Sequence, residues 1–182
     1  MDRLLSEEDP YYRDVYIEGN WGVLGDIIFK NWEVRDLSKM RNRLDRSCHG
    51  LDFGFSNDPA AVLKQYFDKS SNKLYVFDEI YQRGLTDKKL AQLTNQMIGF
   101  EEVICDSSEP KSIKHLNNHN LNARGAKKGP GSIETRYRWY SGIDIVLDSK
   151  CVNIKRELQT HQWKKDKDGN SLKVPEDKNN HA

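Results

Sequence analysis

From about residue 47 onward, apolar residues fall in short runs that stop at an acid or at turn residues. Leu51 to Phe53 is the first such run, and Asp58-Pro59 marks the turn behind it. Ala60 to Phe67 reads as a second strand, Lys69-Ser70-Ser71-Asn72 as a turn, and Leu74 to Tyr81 as a third strand. Three consecutive strands with short connections predict an antiparallel meander. After Thr86, a suitable N-cap, the spacing becomes helical: Leu90, Leu93 and Met97 share a face, and Gly99 stands where a C-cap belongs. Val103 to Asp106 is the next strand, and Pro110 suits the first turn of a helix carrying Ile113 and Leu116. A glycine- and lysine-rich loop, Gly125 to Gly131, leads to a helix around Ser132 to Tyr140 that Gly142 ends. Ile143 to Leu147 reads as a fifth strand, and Cys151, Ile154 and Leu158 fit one helix face. Trp163 to Lys167 and Ser171 to Val174 flank Asp168-Gly169, a strong hairpin dipeptide.

The expected order is β-β-β-α-β-α-α-β-α followed by a hairpin. A meander continued by alternating strands and helices is the arrangement of ribonuclease H-like α/β folds: a mixed sheet, part antiparallel and part parallel, flanked by helices. Its first and fourth strands are neighbours. Residues 1–45 carry scattered aromatics (Tyr11-Tyr12, Tyr16, Trp21) and then mixed charge. They read as an arm or linker, and residues 46–182 as the domain.

That adjacency gives meaning to two acids. Asp52 and Asp106 each end an apolar run, where an unpaired buried carboxylate would be costly. Brought side by side at one end of a sheet they would repel, and a divalent cation between them would offset the repulsion. A metal held by acids is a common device for phosphodiester hydrolysis. Charge supports a polyanionic partner only locally. The chain has 29 basic and 28 acidic residues overall. Between Lys111 and Arg138, however, Glu134 is the only acid among Lys111, Lys114, Arg124, Lys127, Lys128, Arg136 and Arg138. The three cysteines are far apart and show no zinc spacing, which favours buried thiols. No apolar stretch approaches the roughly 18 residues of a membrane span, so no membrane partner is expected.

Six ordered phrases carry a resemblance: Gly50-Leu51-Asp52-Phe53-Gly54 with Asp58-Pro59; Asp78-Glu79-Ile80-Tyr81 with Gly84-Leu85-Thr86; Asp106-Ser107-Ser108-Glu109-Pro110-Lys111-Ser112-Ile113; Ala126-Lys127-Lys128-Gly129; Glu157-Leu158 through Trp163; and Asp177 through Ala182. Together they resemble the nuclease domain of tailed-bacteriophage terminase large subunits. The resemblance implies a metal-dependent endonuclease cutting double-stranded DNA during genome packaging, with Mg²⁺ or Mn²⁺ as cofactor. It implies Asp52 and Asp106 as catalytic metal ligands, with Asp52 bridging two cations about 3.5–4 Å apart. His181 would then lie near a third acid expected a few residues past Ala182. Lys111, Lys127 and Lys128 would contact the DNA backbone. Residues 1–45 would connect to an absent ATPase domain, since the chain has no phosphate-binding loop of the Gly-x-x-x-x-Gly-Lys-Ser/Thr type. The implied partners are that domain, a small terminase subunit and a portal protein, and the implied place is the host cytoplasm, at the procapsid.

Other residues have plainer readings. Glu79, at a strand end, is a possible secondary ligand or an exposed edge acid, and Asp177 a possible stand-in ligand or a solvated one. Asp106 could also cap the helix after it. His49 reads as a packed histidine, and Asp166 to Asn170 as a hairpin tip that faintly echoes a calcium loop. Three alternatives to the nuclease remain. Another ribonuclease H-like enzyme, of resolvase or integrase type, fits the lysine-glycine loop less well. An actin-like phosphotransferase would need a duplicated domain. The last is a non-catalytic module that binds DNA or the portal.

Overall fold

The meander is present in the computed structural model, which describes residues 27–40, 47–54 and 58–176. In chain order, its first half comprises strands β1 (Trp32–Arg35), β2 (His49–Asp52), β3 (Ala60–Asp68) and β4 (Lys73–Gln82), helix α1 (Asp87–Ile98), strand β5 (Val103–Cys105) and helix α2 (Pro110–Asn118). Strand β6 (Ala123–Gly125), helix α3 (Ser132–Ser141), strand β7 (Asp144–Asp148), helix α4 (Val152–Thr160) and strands β8 (Trp163–Lys165) and β9 (Ser171–Pro175) complete it. Seven strands form one mixed sheet in the order β1-β7-β4-β3-β2-β5-β6, and β8 and β9 pair as a separate hairpin. β2, β3 and β4 are antiparallel neighbours. The remaining contacts in the sheet, β2 with β5, β5 with β6, β4 with β7 and β7 with β1, are all parallel.

Local chemistry sets the element ends. The Thr86 hydroxyl accepts from the Lys89 amide and starts α1, and Gly99, at φ 70°, ends it. Between β3 and β4 the Asp68 carboxylate accepts from the Ser70 amide and from the Ser70 and Ser71 hydroxyls. Asn72 then takes φ 55°, a left-handed conformation that asparagine tolerates well.

The sheet separates two apolar layers. On one face Leu51, Val62, Val103 and Cys105 pack under Leu90 of α1 and Leu116 of α2. On the other, Leu63, Val76 and Leu147 pack under Ile154 and Leu158 of α4, with Tyr140 of α3 beside them. Truncating a fully buried side chain such as Leu116 would cost about 2–5 kcal/mol. None of the three cysteines is in a disulfide, and burial pushes the Cys105 and Cys151 thiols up to about 12.

Two strands depart from the expected order. Trp32–Arg35, placed by sequence in the arm, lies along β7 as an edge strand, and Leu37 just beyond it is fully buried. The edge of the sheet therefore does not coincide with a boundary near residue 45. β6 adds a short strand where only a loop was expected, with Ala123 in the core and Arg124 outward. Among the described residues, no helix is long and apolar enough to cross a membrane.

Candidate functional site

β2 ends at Asp52 because the chain must turn away at Gly54. Gly54 has φ +64°, and a Cβ there would come within 2.5 Å of the Pro59 carbonyl oxygen. Leu51 pairs with Cys105 on the neighbouring parallel strand, and both side chains enter the same apolar layer. Strand alternation therefore turns the next residues, Asp52 and Asp106, to the opposite face, together at the carboxyl ends of β2 and β5. The Asp106 amide donates to the Leu51 carbonyl at 3.2 Å, which carries the ladder one step past β5.

A second tether brings a base to the pair. The Ala126 amide donates to the Cys105 carbonyl at 2.8 Å, so the loop after β6 starts beside Asp106. From that loop the Lys128 ammonium reaches Asp106 Oδ1 at 2.6 Å. The Ser108 amide also donates to Oδ1, at 2.8 Å. Burial pushes the Asp106 carboxyl up, but the Lys128 and Ser108 donors prevail and hold it below the ordinary carboxylate range. Asp106 is thus ionised at neutral pH. It closes a turn two residues long and does not cap α2, which begins at Pro110 behind Glu109.

The donor set suits a hard divalent cation, since carboxylate oxygens are the ligands such ions prefer. Lys128 shows that Asp106 already draws a positive charge to this end of the sheet. Among the described residues, no cluster of three or more His, Cys, Asp or Glu converges as a metal site. The candidate ligands among the described residues are Asp52 and Asp106. Asp177 and His181 lie outside the described residues.

The other candidates sort by position. Lys111, in the first turn of α2, and Lys127 are exposed on the segments that leave Asp106 and Ala126. Arg124 is engaged elsewhere, in a two-pronged pair with Glu102 at 2.9 Å for each contact. Glu79 is not brought to the acid pair. Its carboxylate accepts from the Asn153 amide at 2.8 Å, the Asn153 side-chain amide at 2.7 Å and the Ile154 amide at 2.9 Å. It holds the first turn of α4, where free amides and the helix dipole favour an anion, and so is not an exposed edge acid. His49 is fully buried between the Gln65 amide, which donates to Nδ1 at 3.1 Å, and Glu101, 3.3 Å from Nε2. Asp166 closes the hairpin tip, accepting from the Asp168 and Asn170 amides.

Sequence reasoning assigned Lys128 to the DNA backbone and missed its contact with Asp106. The only sequence signal for that contact was the basic, glycine-rich loop itself, which spacing along the chain does not connect to Asp106. It also missed a second charged corner, where Asp148, nearly buried, accepts from the Leu37 amide at 3.1 Å and Lys150 pairs with Asp78. A cavity of about 490 Å³ lies between the sheet, α3, α4 and the hairpin, lined by Phe29, Tyr137, Tyr140, Glu157 and His161 among others. Neither Asp52 nor Asp106 lines it.

Known proteins resemble this chain in sequence and fold. Residues 52–182 match the family described as the terminase RNase H-like domain. The chain is 38% identical over 179 residues to the terminase large subunit of Bacillus phage SPP1, covering 94% of this chain and 42% of that protein. It is 30% identical over 172 residues to the PBSX phage terminase large subunit of Bacillus subtilis (strain 168), covering 91% of this chain and 40% of that protein. It thus spans about two fifths of the length of these curated relatives. The crystal structure of the SPP1 large-terminase nuclease domain with bound Mn superposes with a TM-score of 0.77 at 35% identity, over 84% of this chain and 91% of that one. The large terminase of a thermophilic bacteriophage shares the fold, with a TM-score of 0.64 at 18% identity over 96% of this chain and 47% of that one.

Proposed function

Since the chain belongs to the terminase RNase H-like domain family, we propose that it is the nuclease domain of a phage DNA-packaging terminase, a divalent-metal-dependent endonuclease that cuts double-stranded DNA. The observation that supports this reading is that Asp52 and Asp106 stand at the carboxyl ends of adjoining parallel strands, the Asp106 amide bonded to the Leu51 carbonyl. The Mn bound by the SPP1 nuclease domain supports a divalent cation as cofactor.

In this reading Asp52 and Asp106 hold the Mg²⁺ or Mn²⁺, in a site that takes two ions when its full ligand set is assembled. A cation held there would supply positive charge to the phosphate oxygens and lower the pKa of a water it binds. The chain's own residues do the rest. Asp106 stays ionised through its Lys128 and Ser108 donors and Asp52 ends β2 two residues before the positive-φ turn at Gly54, so both carboxylates are carried by the ends of neighbouring strands. Lys111 and Lys127, exposed on either side, bind the DNA backbone. Phosphate contacts position a duplex without reading its bases, so cutting is expected to show little sequence preference and strong salt dependence. His181, by family resemblance, orients or protonates groups at the same site. The ATPase domain, the small subunit and the portal are the proposed partners of the longer protein, acting in the host cytoplasm.

Supercoiled-plasmid cleavage tests the proposal. With Mn²⁺ or Mg²⁺ the chain should nick the plasmid, and EDTA, Asp52→Ala or Asp106→Ala should abolish nicking. If the chain and a version extended by about a dozen residues, on the order of one short helix, both fail to cut, the nuclease assignment is wrong.

A further inference from the structure

The Lys128–Asp106 contact is more than another basic residue near DNA. The ammonium sits at 2.6 Å on one oxygen of a carboxylate that the nuclease reading needs for a metal. A divalent cation on that carboxylate and an ammonium at that distance would repel each other strongly. One of them has to give way, and the surroundings indicate which.

Both partners are accessible, with side-chain exposures of 45% for Lys128 and 37% for Asp106. Exposed pairs of this kind contribute little and break easily. The loop offers room for the movement: a Cβ built on Gly129, the next residue, meets nothing within 4 Å. Yet the base of the loop is held two residues upstream by the Ala126–Cys105 bond at 2.8 Å. A displaced Lys128 therefore starts from a backbone tethered beside Asp106.

We propose that Lys128 is an internal competitor for the metal site: its ammonium holds Asp106 until a divalent cation displaces it, and the freed ammonium then takes a phosphate of the bound DNA strand. The inference rests on the nuclease reading above and adds an order of events to it. Metal arrival increases the positive charge offered to DNA at the same moment. By linkage, DNA that captures Lys128 favours the metal-loaded site in turn. Without the ammonium, Asp106 would offer more of its negative charge to an arriving cation and attract it more strongly.

The test is Mn²⁺ binding without DNA, read from the loss of the free-ion EPR signal, for the unaltered chain and for Lys128→Ala, Lys69→Ala and Asp106→Asn. Lys128→Ala should bind Mn²⁺ about two- to five-fold more tightly, the range expected for removing an exposed ion pair. Lys69→Ala, in the exposed turn between β3 and β4, should bind as the unaltered chain does, and Asp106→Asn should bind weakly or not at all. A second measurement follows the ammonium itself: acylation of Lys128 by an amine-reactive ester, quantified by peptide mass spectrometry, should accelerate when Mn²⁺ is added, while Lys127 should not change. Equal or weaker Mn²⁺ binding by Lys128→Ala, or acylation of Lys128 that ignores Mn²⁺, overturns the competitor and leaves the nuclease reading standing. If no form of the chain binds Mn²⁺, the metal site fails and the competitor fails with it.

Discussion

Tyr81 donates its hydroxyl to Glu157 at 2.8 Å, joining the end of β4 to the middle of α4. Glu157 is almost fully buried, and burial together with this bond pushes the Tyr81 hydroxyl up to about 12, so it remains a donor through the physiological range. Tyr81→Phe removes a hydrogen bond to a buried carboxylate and should lower stability by about 1–2 kcal/mol. The urea midpoint should fall with an unchanged slope, which distinguishes lost stability from a changed unfolded state.

Glu79 provides a sharper separation of structural from catalytic acids. Its three donors all belong to the first turn of α4. Glu79→Ala should therefore destabilise the fold by about 1–2 kcal/mol, in the range of a lost helix cap. At a temperature where the variant is folded, plasmid nicking should match that of the unaltered chain. A variant that is folded but inactive would return Glu79 to the active site.

His49 makes stability depend on pH. Burial is the largest influence on the ring and holds its pKa below 6.5, against the opposing pull of Glu101. The Gln65 amide donates into Nδ1, which requires that nitrogen to be unprotonated. The native state thus binds fewer protons than the unfolded chain between the depressed value and 6.5. Stability is full above 6.5 and falls as pH drops through that window. Urea midpoints measured from pH 7.5 to 5 should decline, and His49→Gln should flatten the decline across the same window.

Gly54 couples backbone geometry to the site. Alanine there would have to adopt φ +64° with its Cβ 2.5 Å from the Pro59 oxygen. The conformational part alone is worth about 1–3 kcal/mol, and relief of the contact must shift the turn that follows Asp52. Gly54→Ala should lose metal-dependent nicking to a greater degree than its unfolded fraction, measured by circular dichroism at the assay temperature, accounts for.

Lys127 tests the backbone-binding role. If it neutralises one phosphate, Lys127→Ala should reduce the slope of log K against log salt by about 1 and weaken binding alike for unrelated duplexes. Fluorescence anisotropy at several salt concentrations with two unrelated sequences measures both.

What could be read in the sequence was what local chemistry decides. Apolar runs ending in Asp52 and Asp106 marked two strands, and Thr86, Gly99 and Pro110 marked helix ends that the structure reproduces. β1 and β6 escaped because each is short and gains its meaning from a distant partner. Trp32–Arg35 is half exposed and shows no clean alternation, and only β7 makes it a strand. Ala123–Gly125 is three residues long, too few for any period to register. The clasp of Glu79 on α4 and the reach of Lys128 to Asp106 are likewise contacts through space, invisible to spacing along the chain.

The parallel contact between β1 and β7 also bears on the order of folding. Leu37 and Asp148, at the ends of these strands, are 111 residues apart in sequence. β2, β3 and β4 can zip through short hairpins, whereas β1 must wait until nearly the whole sheet exists. Loop closure over such a span is slow, and contacts of this kind form late. During synthesis, Trp32–Arg35 is thus among the first described segments made and among the last placed. Until β7 arrives, the strand carries an unpaired edge, and a refolding experiment should find its amides protected from exchange after those of the meander.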